Sequence, residues 1–338
     1  MFKKIKKYLK INIYISLILI LTLLFTFKHI YANDKKYVIP GGDAIGLKIE
    51  TGIYVVGKYT VSNKNVKLSP WKNSDIEEGD RIVKLNNIEV NSLDEIVKLI
   101  SKSDEKSCNL TIKRGNENIN TKIDIVTSIN GEKTIGLYLK DKLMGIGTLT
   151  FVDPETYKFA SLGHGIYDKT LTYGDINGCI VTSTVESIKK GVPGTSGEKR
   201  ASISSISLGN VLVNNTTGVY GILNKSLCRK KVEVAKQWEV HKGKAKMLTV
   251  INSDEIEAFD IEIVGITLQD NVGTKGLKIK VIDEKLINCA GGIVQGMSGS
   301  PIIQDNKLIG AVSHVSVSEP TIGYGMHIGW MLDEIEKI

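Results

Sequence analysis

The chain has 338 residues, 42% of them hydrophobic, which is enough for two packed domains. Its formal charge of +7 is concentrated at one end: Lys3, Lys4, Lys6, Lys7, Lys10 and Lys28 fall within the first 32 residues, which hold no acid, and taking those six from 44 bases leaves 38 against 37 acids. A nearly neutral body argues against nucleic acid as a partner.

In chain order the first element is that basic segment. The lysines precede an uncharged apolar run over 11–27, and Ile30-Tyr31-Ala32 follows as a cleavage-like site. Residues 1–32 are therefore expected to form a hydrophobic helix. Signal peptide and uncleaved membrane anchor both fit, because about 17 apolar residues lie at the lower edge of a bilayer span. Either way the lysines stay cytoplasmic and the remainder is exported.

Residues 37–127 read as one α+β unit. Strands are expected over 45–49 and 52–57, and 76–86 reads as a turn feeding a strand. Ser92 with Glu95 three positions on is a capping box opening a helix over 93–100, and a hairpin turns at Gly115-Asn116. The run Glu78-Gly79-Asp80-Arg81-Ile82, then Leu85-Asn86-Asn87-Ile88 and the helix, resembles a PDZ domain of the circularly arranged bacterial type. That resemblance implies a peptide strand added to a sheet edge, with its terminal carboxylate held by a loop at Ala44, Ile45, Gly46 and Leu47. A purely structural α+β spacer is the competing reading.

Residues 128–338 are β-rich. Strands are expected over 135–139, 145–151, 157–162, 180–188, 202–213, 218–223, 245–250, 261–268 and 276–281, with a short C-terminal helix over 330–335. Two segments carry chemistry. In Gly291-Gly292-Ile293-Val294-Gln295-Gly296-Met297-Ser298-Gly299-Ser300-Pro301, small residues surround one hydroxyl, as a serine nucleophile on a tight turn requires. In Phe159-Ala160-Ser161-Leu162-Gly163-His164-Gly165-Ile166, an apolar strand ends in a glycine-bracketed histidine, where a general base belongs. A nucleophile loop followed by a hairpin is the order expected in a chymotrypsin-like barrel. Of the other histidines, His29 lies in the N-terminal segment and His241 in a solvated lysine-rich stretch. His327 reads as structural, and His314 either lines a specificity pocket or is structural. Cys108, Cys179, Cys228 and Cys289 are far apart, with no metal-ligand spacing; Cys108 and Cys289 border apolar strand-like segments. Neither metal nor cofactor is expected.

Together, the N-terminal segment, the PDZ-like unit, Gly145-Ile146-Gly147-Thr148-Leu149-Thr150 leading to Leu162-Gly163-His164-Gly165-Ile166, and the Ser298 motif resemble the SpoIVB peptidase family of spore-forming bacteria. The resemblance covers essentially the whole chain. It implies a mainly β protein, a PDZ-like domain followed by a chymotrypsin-like double β-barrel, exported into the space between forespore and mother cell. There it would cleave itself and a membrane-bound regulator, releasing an intramembrane protease that activates a mother-cell sigma factor. Carried over by residue, Ser298 is the nucleophile, His164 the base and Asp283, fifteen positions before the serine, the acid; Asp175, Asp260 and Asp270 remain rivals for the acid. The N–H groups of Gly296 and Ser298 would form the oxyanion hole. A non-catalytic adaptor acting through its PDZ-like unit is the alternative from another class.

Overall fold

A computed structural model describes residues 35–64, 66–167 and 174–338, with Tyr14 and Ser16 from the N-terminal segment. The reading of residues 1–32 lies outside the described residues. Among the described residues no helix is long and apolar enough to cross a membrane.

Twelve strands carry the architecture. Six are β1 (Ala44–Lys58), β2 (Leu137–Val152), β3 (Lys158–Ser161), β4 (Gly174–Lys189), β5 (Glu198–Asn215) and β6 (Gly218–Leu223). Six more are β7 (Gly243–Val250), β8 (Ile256–Ile266), β9 (Leu277–Val281), β10 (Pro301–Gln304), β11 (Lys307–Val315) and β12 (Ile322–His327). Antiparallel pairing closes the first set in the order β1-β2-β3-β6-β5-β4 and back to β1. The second set closes as β7-β8-β9-β12-β11-β10 and back to β7. The two barrels thus share one topology. Alternation drives it: β9 buries Leu277, Ile279 and Val281 and exposes the lysines between them, so one face fills the barrel and the other meets water. The first barrel is filled by Ile45, Leu47, Leu149, Phe159, Ile180 and Val211, the second by Met247, Phe259, Ile261, Ile279 and Ile302 among others.

The C-terminal helix, Ile328–Lys337, joins the barrels. Its buried Ile328, Met331, Leu332 and Ile335 share one cluster with Phe151 and Tyr220 of the first barrel and Leu308, Ala311 and Met326 of the second. Burying four such side chains is worth several kcal/mol, on the order of 1.5–3 each, and ties the two barrels together.

The PDZ-like unit is built into the first hairpin. Sequence reading divides the chain at 127/128 and splits 45–57 into two strands; in the structure both segments belong to β1. Gly52, at φ +79°, is not a turn but a point where the strand bends, and the facing register slips between Lys140 and Lys142. Residues 44–49 of β1 are barrel wall, whereas Ile53 and Val55 enter the PDZ-like core with Ile82, Leu110, Ile112 and helix α1, Leu93–Lys102. Ser92 caps α1, its hydroxyl accepting from Glu95 N, while the Glu95 carboxylate accepts from Asn91 N at 2.7 Å. The chain returns through β2, whose residues Leu137 to Lys140 pair with Tyr54 to Lys58 before the strand continues into the barrel. Ile135 and Leu137 are buried in the PDZ-like core, and the Asp141 carboxylate accepts from Leu93 N at the start of α1 at 2.8 Å.

This pairing corrects the expected peptide site. Ala44, Ile45, Gly46 and Leu47 do not form an open carboxylate loop: they pair with residues 145–148 of β2 on one side and, from Ile45 on, with residues 180–182 of β4 on the other. Farther along β1, residues 137–140 of β2 occupy the edge to which an added peptide strand would bond. The reason is topological, since the strand that leads back to the barrel must run antiparallel to β1 along that same edge.

Candidate active site

His164 lies just after β3 and Ser298 just before β10, so each barrel presents one of the two side chains to the cleft. Nε2 of His164 is 3.0 Å from Oγ of Ser298. Nδ1 of the same ring lies 2.9 Å from the carbonyl oxygen of Gly165. A carbonyl can only accept, so Nδ1 carries a proton, and in the neutral ring Nε2 offers its lone pair to the serine hydroxyl. The carbonyl oxygen of Ser313 is a second, longer neighbour of Oγ at 3.4 Å.

The serine loop is pinned from three sides. The Thr148 hydroxyl donates to Gly296 O and the Thr150 hydroxyl to Gly299 O, both at 2.8 Å, and both threonines are fully buried. Gly299 has φ +91°, and a Cβ there would stand 2.2 Å from the carbonyl oxygen of Thr148. From the first barrel, β5 reaches under the loop: Lys199 N donates to Gln295 O and Gln295 N to Gly197 O, each at 2.9 Å. In a trans peptide the C=O and N–H point opposite ways. Anchoring Gln295 O on Lys199 therefore turns the Gly296 N–H toward the cleft. Among the described residues neither Gly296 N–H nor Ser298 N–H has an acceptor. Two free donors beside a serine hydroxyl can stabilise an oxyanion.

Lys199 also packs beneath this loop. Its alkyl stem lies against Gly296, where a Cβ would come within 3.1 Å of it, and Nζ donates to the Thr249 hydroxyl on β7 at 2.8 Å. Burial lowers its pKa from the usual 10.5 to about 7. Sequence reading missed Lys199, Thr148 and Thr150. For the threonines a signal existed, two hydroxyls two residues apart on one face of an apolar strand; for Lys199 none did, because it looks like any hairpin lysine.

Asp283 is not brought to His164. Its carboxylate caps the helix Glu284–Ala290, accepting from Leu286 N at 3.1 Å, and also accepts from Asp260 N at 3.2 Å. Capping is what an aspartate immediately before a helix is suited to. Asp260 pairs with Lys246 and Asp270 is exposed. The side chain of Asp175 lies outside the described residues. What holds the histidine loop among the described residues is Asn214, fully buried on β5: its Oδ1 accepts from Ile166 N at 2.8 Å and its Nδ2 donates to Ile166 O at 2.9 Å.

The remaining histidines separate. His314 stands beside the catalytic pair, its ring 5.6 Å from that of His164; burial first, then the neighbouring His164 and Lys275, lower its pKa. His327 is buried and donates from Nε2 to Thr267 O, while His241 is exposed and bonded to Asp305. Cys108 is buried in the PDZ-like core, but Cys289, expected beside a strand, is exposed on a helix. Next to the pair is a cavity of about 410 Å³ walled by Leu143, Met144, Ile146, Leu162 and Ile166.

A serine hydroxyl facing an unprotonated imidazole nitrogen, between two six-stranded antiparallel barrels, defines the class: a chymotrypsin-like serine peptidase. The chain belongs to the SpoIVB peptidase S55 family, whose profile matches residues 131–332, and a PDZ domain profile matches 44–125. It is a serine peptidase of the sporulation type, a hydrolase acting on protein substrates. Among solved structures the chain is similar to the PDZ domain of an SdrC-like protein from Listeria monocytogenes, at 21% identity over 26% of this chain and 87% of that one, with a TM-score of 0.21. No match is found among curated proteins.

Proposed function

We propose that Ser298 is the nucleophile, His164 the general base and the N–H groups of Gly296 and Ser298 the oxyanion hole of an exported sporulation endopeptidase. The observation that carries this reading is the 3.0 Å contact between Nε2 and Oγ beside two free amides. Oγ attacks the scissile carbonyl carbon as its proton passes to Nε2, and the oxyanion is held by the two amides. Imidazolium then returns the proton to the departing amine, leaving an acyl-enzyme that water, activated by the same nitrogen, hydrolyses. The apolar cavity beside the pair suits a hydrophobic side chain next to the scissile bond.

The substrates we assign are the chain itself and a membrane-bound regulator in the space between forespore and mother cell, whose cleavage frees an intramembrane protease to activate a late mother-cell sigma factor. Family membership and the lysine-flanked apolar N-terminus support this. A non-catalytic adaptor would need an open PDZ edge, and the edge of β1 is taken by β2. Export of wild type beside Ser298→Ala, with N-terminal sequencing of both products, tests the proposal. Truncation of the wild type alone is expected; identical processing of both would overturn self-cleavage.

A further inference from the structure

We infer that the Lys199 side chain is a positioning residue of the oxyanion hole, a strut between the barrels that sets where the Gly296 N–H stands relative to Ser298. This rests on the reading of the Gly296 and Ser298 N–H groups as the oxyanion donors. The carbonyl oxygen of Gln295 and the N–H of Gly296 belong to one peptide, and Lys199 holds that peptide in two ways. Its backbone N–H donates to the carbonyl end at 2.9 Å, and its Cβ, Cγ and Cδ lie against Gly296, within 3.1–3.3 Å of where a Cβ on that glycine would stand. The first contact fixes the direction of the Gly296 N–H, because C=O and N–H are opposed in a trans peptide. The second limits how far the peptide can move toward β5.

The amine ties down the other end. Lys199 leaves β5 of the first barrel, where its backbone pairs with Ile188 on β4, and its Nζ donates to the Thr249 hydroxyl on β7 of the second barrel at 2.8 Å. The serine loop is rooted in that second barrel by Ile293, Val294 and Met297, so the stem crosses from one barrel to the other with Gly296 resting on it. Both Lys199 and Thr249 are buried, and among the described residues the Thr249 hydroxyl is the one hydrogen-bond partner of the amine; the adjacent Glu198 pairs instead with Arg200. A buried amine facing a neutral hydroxyl is costly, and a methionine of similar length would fill the space at lower cost. A costly group set directly against the peptide that carries an oxyanion donor fits an exchange of stability for activity. Lys199 acts through that peptide rather than on the substrate.

The test pairs Lys199→Met, which keeps the stem and removes the tie to Thr249, with Lys199→Ala, which removes both. Hydrolysis of a leucyl peptide coumarylamide reads turnover. Inhibition by the matching peptide aldehyde reads the hole itself, because the hemiacetal oxygen formed on Ser298 occupies it. In Lys199→Met kcat should fall roughly 10-fold with KM changed less than about threefold, and the aldehyde should bind more weakly by a similar factor. Lys199→Ala should lose more, up to the roughly 10²–10³-fold cost of one oxyanion donor. Urea midpoints establish that the variants compared are folded; should Lys199→Ala fail to fold, Lys199→Met still decides. A folded Lys199→Met with kcat and aldehyde affinity within about twofold of wild type, or one whose KM rises while kcat is kept, would overturn the inference. A wild type that neither turns over the peptide nor binds the aldehyde would instead overturn the proposed function, and the inference with it.

Discussion

The catalytic cleft and the PDZ-like unit share two strands, β1 and β2, and treat them in opposite ways. At the cleft the loop around Ser298 leaves the Gly296 and Ser298 amides without an acceptor among the described residues while Thr148, Thr150 and the backbone of Lys199 pin it. In the PDZ-like unit the reverse holds: the edge of β1 that could accept a strand is filled by residues 137–140 of the same chain, and Asp141 caps the neighbouring helix. One region is organised to leave bonds unmade and the other to complete them. The lesson is that a PDZ-like sequence inserted in a barrel hairpin acts first as a clamp on that hairpin. The same strand β2 that fills the PDZ edge then supplies Leu143, Met144 and Ile146 to the wall of the catalytic cavity.

The largest departure from this comparison to test is Lys199, a buried amine in the frame of the open site. Its folded pKa of about 7 lies below the unfolded value near 10.5. Between those values the unfolded chain binds more protons, so stability should rise with pH from about 7 to about 10 and be lowest below 7. Lys199→Met should abolish that rise and stabilise the protein at pH 6 by roughly 2–4 kcal/mol, less what the lost Thr249 bond costs. Unfolding midpoints in urea at pH 6 and pH 9 read this directly; an unchanged pH slope in the variant would show that the amine is not buried as described.

Asp283 sharpens the same comparison from outside the cleft. As a helix cap, Asp283→Ala should cost about 1 kcal/mol of stability. Asp283→Asn, which can still cap, should keep kcat within about threefold of wild type. Kinetics of Asp283→Asn losing several orders of magnitude would place the carboxylate in the chemistry after all.

The smallest expected effect concerns the PDZ edge. If β2 fills it, amides of β1 at 54–58 should exchange with deuterium within about tenfold of those at 45–49, because both stretches are paired on that side. Rapid exchange confined to 54–58 would mean that β2 leaves the edge and that an external peptide could take its place.

How much of this was legible in the sequence follows from what leaves a trace in residue type. Glycines bracketing Ser298 and His164 mark the loops, and alternation along strands such as β9 marks the barrels, so the two-barrel class and the reacting pair were readable. Gly52 misled, because a glycine at positive φ can bend a strand as well as end it, and the continuity of β1 depends on a partner strand far away in the sequence. The position fifteen residues before Ser298 suggested an acid, but an aspartate preceding a helix serves equally as a cap. Among the described residues Nδ1 of His164 bonds a peptide carbonyl, which no residue type announces. Asn214 is visible only once β5 is seen to run beside the histidine loop.

The central claim is that Ser298 is activated by His164. Its most direct test is labelling with a phosphonyl fluoride followed by peptide mass mapping of wild type, His164→Ala and Ser298→Ala. The account predicts one adduct on Ser298 in the wild type, formed at least a hundredfold more slowly in His164→Ala and absent in Ser298→Ala. Equal labelling of wild type and His164→Ala, or an adduct on another residue, would contradict it.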